Sequence, residues 1–303
     1  MLGLQGMYFD RYRGTKRTPM RTLFTLLISM ILFQSCQDGK STRPALNHMA
    51  AYTLPDVAYG TDSLQRMDVY LPAGRSTATT KAMILVHGGG WTGGNKRDFA
   101  AYIEAFRKRL PDYAFFNLNY RLVGGPTLLP QQEDDIRNAV AQITGKSAEY
   151  GINPDKLVIL GASAGAHLAL LQAYKQPSPK FAAVVDFFGP TDLQRMHDQP
   201  WHPLVPIALQ MITGSKPSTQ PDVYRNASPV SFVRPGVPPT LIFHGAKDNV
   251  VDISQSRVLA DTLKGAGVSH ELVVYPNERH GWQGNNLKKS FDKLEEFLEK
   301  HNQ

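Results

Sequence analysis

A serine framed by two glycines is the strongest chemical signal in this 303-residue sequence. The motif G-A-S-A-G at residues 161–165 follows the apolar run 157–160 and precedes a helix-like segment. A nucleophilic serine on a sharp turn between a strand and a helix needs small neighbours, because a Cβ there would meet adjacent backbone. This context predicts that Ser163 attacks a carbonyl carbon, and it outweighs the simpler interpretation of Ser163 as a helix cap.

A glycine loop after another apolar run meets the second requirement of acyl transfer, a site for the negative oxygen of the tetrahedral intermediate. The loop reads H-G-G-G-W at residues 87–91. Glycines let backbone N–H groups point into a site unobstructed. We therefore predict that the amides of Gly89 and Gly90, together with that of Ala164, bind the oxyanion. His87 is interpreted as a residue that hydrogen-bonds within the loop.

An acid and a base follow the serine in the chain order Ser, Asp, His that this type of site uses. Asp248 comes after the apolar run 240–243, and His280 comes after the strand-like segment that ends at Tyr275. Both positions lie beyond the C-terminal ends of predicted strands, where the sites of open α/β sheets assemble. We predict that Ser163, His280 and Asp248 are the nucleophile, the base and the orienting acid.

Four other residues compete for the roles of acid and base. Asp252 lies a turn further on, near a helix start where an acid caps, and Asp186 lies inside another predicted strand. His270 begins a strand and is therefore expected at the opposite edge of the sheet. His244 precedes the acid and so breaks the order Ser, Asp, His. These four stay secondary candidates.

Strand-like and helix-like segments alternate from about residue 51 onward. Helices are predicted from apolar residues three or four apart, and strands from short apolar runs. Strands this short and this apolar are buried on both faces, as in a parallel sheet covered by helices. The predicted strands are 83–86, 113–118, 157–160, 181–188, 240–243 and 271–275, and the predicted helices are 97–110, 131–150, 165–174, 254–263 and 287–301.

This alternation predicts an α/β fold with a mostly parallel central sheet flanked by helices. The segments around Tyr52 and at 67–71 are expected to add antiparallel edge strands. A Pro-rich stretch with a helix-like segment at 205–212 interrupts the alternation. It predicts a small cap insertion at about 190–235, in the kind of connection where substrate specificity resides.

The bulk composition is that of an ordinary globular protein, with 42% apolar and 19% charged residues. The formal net charge is +7, but five basic side chains and one acidic side chain lie within the first 35 residues. The remaining 28 basic and 25 acidic side chains give a net charge of +3, which lends nucleic-acid binding little support. Nine scattered histidines and one cysteine form no recognisable metal motif, so we expect no bound metal.

The N-terminal segment predicts export. A basic head is followed by an apolar run at residues 23–33, which is too short to span a bilayer and typical of a signal peptide. Cys36 follows a small residue just after this run, and the arrangement resembles the lipidation site of bacterial lipoproteins. A plain secretory signal with an incidental cysteine is the alternative. We predict a signal peptide of the lipoprotein type at 1–35, a tether at 36–50 and the α/β domain at 51–303, with the membrane reached only through a lipid anchor.

Five motifs together resemble the carboxylesterases and lipases related to hormone-sensitive lipase. They are H-G-G-G-W at 87–91, N-Y-R-L at 119–122, G-A-S-A-G at 161–165, H-G-A-K-D at 244–248 and H-G at 280–281. The tryptophan after the glycines and N-P-D at 153–155 look closest to the branch that contains feruloyl and acetylxylan esterases. The resemblance covers about residues 52–300. It implies an α/β-hydrolase fold and cofactor-free hydrolysis of carboxylic esters, with Ser163, His280 and Asp248 matching the family triad.

Two departures from the pattern bear on the substrate. Ala162 and Ala166 stand where relatives of hormone-sensitive lipase usually carry an acidic residue and a glycine, and this favours small esters over long-chain lipids. The leading hypothesis is a serine carboxylesterase that removes small acyl groups, such as acetyl or feruloyl, from plant polysaccharides or their fragments. Its partner would be a small-molecule or oligosaccharide ester. The three tryptophans, Trp91, Trp201 and Trp282, are candidates either for stacking on a sugar or for packing in the core.

Two other functions stay open. An amidase, resembling arylformamidases or peptidases, would use the same triad on an amide bond. A catalytically inactive binding protein on a hydrolase scaffold is a third possibility, which the intact triad candidates and the glycine loop argue against.

Overall fold

The computed structural model describes residues 46–303, and within them one eight-stranded sheet forms the centre of the fold. The strands are β1 (Tyr52–Ala58), β2 (Arg66–Leu71), β3 (Lys81–Val86), β4 (Tyr113–Leu118), β5 (Leu157–Ala162), β6 (Ala183–Phe187), β7 (Thr240–Gly245) and β8 (His270–Tyr275). Their spatial order is β1-β2-β4-β3-β5-β6-β7-β8. From β4 to β8 in this order the neighbours pair in parallel, whereas β2 pairs antiparallel with both β1 and β4. The predicted mostly parallel sheet with antiparallel strands at one side is confirmed.

Helices connect the strands and cover both faces of the sheet. They are α1 (Arg97–Arg109), α2 (Leu129–Gly145), α3 (Ser147–Tyr150), α4 (Ala164–Lys175), α5 (Leu193–Asp198), α6 (Val205–Thr213), α7 (Pro221–Asn226), α8 (Ser254–Gly265) and α9 (Gly284–His301). One apolar core lies under α2, α4 and α8, and the other lies under α1 and α9. This two-sided burial explains why the strand sequences are apolar throughout.

Alternation of side chains along each strand feeds the two cores. In β3, Ile84 and Val86 pack into the core under α4, whereas Met83 and Leu85 pack into the core under α1 and α9. All of these side chains are fully buried. Because the central strands are parallel, their C-terminal ends meet at one edge of the sheet, and the loops that leave this edge carry the chemistry described below.

Two predicted boundaries are wrong. The predicted strand 181–188 is observed as the shorter β6, which ends before Phe188 because the backbone of Phe188 turns into the left-handed region with φ 47°. The predicted helix 131–150 is two helices, since the backbone at Lys146 leaves the helical conformation with φ −105° and ψ 18°. The amide of Lys146 closes the last turn of α2 on the carbonyl of Gln142, at 3.0 Å.

The segment between β6 and β7 forms the cap. It contains α5, α6, α7 and a 3₁₀ turn at Pro229–Phe232. Met196, Leu209 and Ile212 bury the inner side of the cap against the core. Within residues 46–303, no helix is long and apolar enough to cross a membrane. The predicted signal peptide and Cys36 lie outside the described residues.

Candidate active site

Ser163 occupies a strained turn between β5 and α4. Its backbone has φ 55° and ψ −124°, a conformation with positive φ that residues other than glycine rarely adopt. The flanking glycines make the turn possible. A Cβ on Gly161 would lie 2.3 Å from the carbonyl oxygen of Gly165, and a Cβ on Gly165 would lie 2.1 Å from that of Val86. The turn therefore presents the hydroxyl of Ser163 at the C-terminal edge of the sheet.

The structure brings Ser163, His280 and Asp248 together. The Nε2 atom of His280 lies 2.9 Å from the Oγ of Ser163, and its Nδ1 atom lies 2.7 Å from the Oδ2 of Asp248. A carboxylate can only accept a proton, so Nδ1–H donates to Asp248 and Nε2 is free to accept from the serine hydroxyl. Three residues that are far apart in the chain thus form one continuous line of hydrogen bonds.

Asp248 is fully buried, and its two oxygens are satisfied by different groups. The Oδ1 atom accepts from the amides of Val250 at 2.8 Å and Val251 at 3.0 Å. The Oδ2 atom faces His280, and the Nε2 atom of His244 lies 3.3 Å from it. Burial alone would raise the pKa of Asp248, but the hydrogen bonds from His244 and His280 outweigh it and hold the pKa well below its usual range. The acid is therefore an anion at neutral pH.

The loop that follows β7 and carries Asp248 packs directly against the loop that follows β8 and carries His280. A Cβ on Gly245 would lie 2.2 Å from the carbonyl oxygen of Arg279, so only glycine allows the two loops to approach in this way. The amide of Lys247 donates to the carbonyl of Glu278 at 2.9 Å. This backbone contact sets Asp248 beside His280.

Three of the four secondary candidates for acid and base lie away from this line of hydrogen bonds. Asp252 accepts from the amide of Ser254 at 2.9 Å and so caps the start of α8. His270 begins β8, at the opposite edge of the sheet, and its Nδ1 atom bonds the carbonyl of Val268 at 2.8 Å. Asp186 is buried within β6. His244 does belong to the site, but it contacts Asp248 and not Ser163. Its position at the end of β7, at the same edge of the sheet, could have indicated this contact.

The glycine loop packs directly against the serine turn. A Cβ on Gly88 would lie 2.8 Å from the carbonyl oxygen of Ala162. Gly89 and Gly90 both have positive φ, at 119° and 60°, and both line the same cleft as Ser163. Their amides, and the first amide of α4 at Ala164, donate to no acceptor within residues 46–303. Three backbone donors are therefore available beside the serine, and the last of them carries the positive end of a helix dipole.

Residues of the N-Y-R-L segment support this loop. The ring of His87 stacks on that of Tyr120 with centroids 4.3 Å apart, and the hydroxyl of Tyr120 donates to the carbonyl of His87 at 2.8 Å. The Nδ1 atom of His87 bonds the carbonyl of Gly88 at 2.7 Å, so the predicted role of His87 within the loop is confirmed. Burial lowers the pKa of His87.

Two clefts meet beside the serine, at His280 and Phe188. The first, of about 470 Å³, extends from the glycine loop under the cap, where Trp201 and Leu209 line it. The second, of about 340 Å³, lies between α1 and α9 and is lined by aromatic side chains. Phe188 and His280 border both clefts. The aromatic lining of the second cleft comprises Phe99, Tyr102, Phe106, Phe187, Trp282 and Phe291.

The three tryptophans differ in exposure. Trp91 and Trp282 are buried, and their indole N–H groups donate to His167 at 3.2 Å and to Ser290 at 2.9 Å. Trp201 is only partly buried. Trp91 and Trp282 are therefore mainly core side chains, although Trp91 borders the first cleft and Trp282 the second, and Trp201 is the most exposed of the three. Within residues 46–303, no group of three His, Cys, Asp or Glu side chains is placed to hold a metal ion.

The fold and the site together define an α/β-hydrolase. The nucleophile turn follows β5, the acid follows β7, and the base follows β8, all at one edge of a mostly parallel sheet. Residues 67–263 match the model of the BD-FAE family, and the chain belongs to that family. The resemblance to hormone-sensitive-lipase-related esterases that the motifs indicated is thereby confirmed.

Several known proteins of similar sequence or structure carry the name of an esterase. The chain is 30% identical over 238 residues to the probable carboxylic ester hydrolase LipM of Mycobacterium tuberculosis, a match that covers 73% of this chain and 53% of the relative. It is 25% identical to a truncated carbohydrate esterase from gut microbiota, with a TM-score of 0.69 and coverage of 83% and 98% of the two chains. It is 26% identical to Thermogutta terrifontis esterase 2 phosphonylated by sarin, with a TM-score of 0.69 and coverage of 84% and 96%. The chain spans little more than half the length of the first curated relative that it matches.

Proposed function

We propose that this chain is a serine carboxylesterase that hydrolyses esters of small acyl groups through an acyl-enzyme on Ser163. The observation that carries the proposal is the line of hydrogen bonds from buried Asp248 through His280 to a serine on a strained turn. Esterase relatives at 25% to 30% identity support the same activity. The unsatisfied amides beside the serine add the oxyanion site that this chemistry requires.

The residues take the following roles in the proposed reaction. His280 Nε2 removes the proton as Ser163 Oγ bonds to the ester carbonyl carbon, and the negative oxygen accepts hydrogen bonds from the amides of Gly89, Gly90 and Ala164. His280 then gives its proton to the departing alcohol oxygen as the C–O bond breaks. A water molecule, deprotonated by the same imidazole, attacks the acyl-serine and releases the carboxylic acid. Asp248 holds the imidazole in the required tautomer throughout.

We propose acylated plant polysaccharides or their fragments as the substrates. The similarity to a carbohydrate esterase supports this choice, as does the partly exposed ring of Trp201 in the cleft under the cap. A sugar can stack on such a ring while its acyl group reaches the serine. The second cleft provides apolar space for the other half of the ester.

A substrate panel with a serine variant tests the proposed activity. The panel contains nitrophenyl acetate, acetylated xylo-oligosaccharides and an acetyl nitroanilide. We expect ester turnover by the wild type and a loss of about 10⁶ in kcat for Ser163→Ala. Ser147→Ala, at the start of α3 and outside both clefts, is the matched control and should keep full activity. Ester turnover that persists in Ser163→Ala would exclude the mechanism, and faster cleavage of the anilide would favour an amidase.

We also propose that the protein is exported and anchored through Cys36. A basic head, a short apolar run and a cysteine after a small residue support this. Metabolic labelling with a lipid precursor in a bacterial host should mark the wild type and leave Cys36→Ser unlabelled. Equal labelling of both proteins, or of neither, would contradict the anchor.

A further inference from the structure

His167 occupies an unusual position in α4, one turn after Ser163. It is fully buried and lies outside the line of hydrogen bonds that joins Ser163, His280 and Asp248. Its Nδ1 atom lies 3.2 Å from the indole nitrogen of Trp91, and its Nε2 atom lies 2.7 Å from the carbonyl oxygen of Ala227. One imidazole thus joins the nucleophile helix, the residue that ends the glycine loop, and the cap.

The chemistry of the two partners fixes the protonation of His167. A carbonyl oxygen can only accept, so Nε2 carries the proton and donates to Ala227. An indole N–H can only donate, so Nδ1 must present its lone pair to Trp91. Burial lowers the pKa of His167 to about 4, which is consistent with a neutral ring in this single tautomer. A flip of the ring would place carbon atoms opposite Trp91 and Ala227, so both hydrogen bonds would be lost.

Trp91 transmits this constraint to the oxyanion site because it follows Gly90 directly. Its backbone is left-handed, with φ 63°, a conformation that must be held by the surroundings. Its carbonyl accepts from the side-chain amide of Gln132 at 2.7 Å and from the amide of Val123 at 2.9 Å. The backbone of Trp91 is therefore held from one side, and its indole is held by His167 from the other.

We propose that His167 is a positioning residue that holds Trp91, and with it the amides of Gly89 and Gly90, against the serine turn. The role rests on the proposed acyl transfer at Ser163, since its effect is on the oxyanion that this reaction forms. The bond to Ala227 adds a mechanical link between the cap and the oxyanion site.

Variants of the two bonded residues test this role. His167→Leu removes both hydrogen bonds, and Trp91→Phe removes only the indole donor. We expect each to lower kcat about ten- to a hundredfold, because displaced donors stabilise the transition state less, with KM changed by about twofold or less. The double variant should be no slower than the slower single variant, since both remove the same contact. His167→Gln retains a donor and an acceptor and should recover part of the loss.

A matched control separates positioning from general stability. Tyr174 lies at the other end of α4, and its hydroxyl bonds Thr240 at 2.6 Å in the core. Tyr174→Phe should lower the melting temperature by an amount comparable to that of His167→Gln while leaving kcat unchanged. An equal loss of kcat in Tyr174→Phe would show that any buried defect in α4 has this effect, and it would overturn the positioning role.

A spectroscopic measurement follows the bond without reference to activity. In ¹⁵N-labelled protein, the indole N–H resonance of Trp91 should move upfield in His167→Leu, whereas that of Trp282, bonded to Ser290, should not. An unchanged Trp91 resonance would overturn the inference. A wild type without esterase activity would overturn the proposed function and this role with it. An active wild type, with kcat unchanged in His167→Leu, would overturn this inference alone.

Discussion

Asp248 uses its two oxygens for different partners, and this predicts how its amide variant fails. In Asp248→Asn, the side-chain oxygen stays with the amides of Val250 and Val251, so the NH₂ group turns toward His280. His280 must then place its proton on Nε2, where it can no longer accept from Ser163. We expect kcat to fall about 10⁴-fold, less than the loss of about 10⁶-fold on removing Ser163. Steady-state kinetics on nitrophenyl acetate measures both.

Asp252→Asn is the control for this prediction. Asp252 lies close in sequence but only caps α8, so its amide variant should keep kcat within about twofold of the wild type. An equal or larger loss at Asp252 would assign the orienting acid to that residue instead.

At the scale of single residues, the sequence is most informative where a residue's place relative to a strand end is enough to locate it in the site. Asp248 and His280 could be predicted because each follows a strand of a parallel sheet, and such ends meet at one edge. His167 could not be predicted, because its role depends on Trp91, 76 positions away, and on Ala227, 60 positions away. No local pattern carries that information.

The packing of α4 against β3 and β5 makes Gly165 a strict requirement of the fold. A Cβ there would lie 2.1 Å from the carbonyl oxygen of Val86, the last residue of β3, and 2.3 Å from that of His87, which follows it. We expect Gly165→Ala to destabilise the protein by about 3 kcal/mol or more, because strand and helix must separate. Urea unfolding followed by circular dichroism measures the change.

Gly145 provides the opposite case. It ends α2, has no atom within 4 Å of an added Cβ, and has no left-handed φ. Gly145→Ala should therefore stabilise the protein by about 0.5–1 kcal/mol through reduced freedom of the unfolded chain. If the two alanine variants were equally stable, close packing at Gly165 would not be the reason for its glycine.

The aromatic cleft between α1 and α9 predicts a selective effect on bulky substrates. Tyr102 lines this cleft, half-buried, and accepts a hydrogen bond from Gln283 at 3.0 Å. Tyr102→Ala removes apolar contact area from one side of the cleft. We expect kcat/KM to fall about tenfold for naphthyl esters and to change little for methyl acetate, because only the larger group reaches the cleft. Equal losses on both esters would show that the cleft does not discriminate between them.

At the scale of elements, the strands and the longer helices were predictable in place and type, but some of their ends and the short helices α5 and α7 of the cap were not. Apolar runs such as β5 identify strands because burial on both faces leaves no polar position. The early end of β6 depends on the left-handed backbone at Phe188, whose ring lies against His280 with centroids 4.5 Å apart. A bulky residue in that conformation is stabilised by tertiary contact, which the local sequence does not express.

For the whole molecule, the fold class followed from the order of elements, whereas the two clefts did not. The cleft under the cap combines residues from Gly88 to His280, and the aromatic cleft combines α1 with α9. Their shapes depend on how distant elements pack together. The motifs therefore indicate the reaction but not the substrate preference, which depends on the shapes of the clefts.

The stability of the whole molecule should depend on pH through Asp186. This carboxyl is fully buried in β6; its Oδ1 accepts from the amide of Gly189 at 2.7 Å, and its Oδ2 has no hydrogen-bond partner within residues 46–303. Burial raises the pKa of Asp186 to about 7. Between about pH 4 and about pH 7 the folded protein therefore keeps a proton that the unfolded chain has released, so this group makes the free energy of unfolding decrease as pH rises.

Asp186→Asn removes this contribution because an amide resembles the neutral acid and does not titrate. We expect the variant to lose less melting temperature than the wild type between about pH 5 and about pH 8, with the two curves parallel above about pH 8. Asp155→Asn, at an exposed turn, is the control and should keep the slope of the wild type. A variant curve that falls as steeply as that of the wild type would mean that Asp186 is already ionised in the folded protein at pH 5.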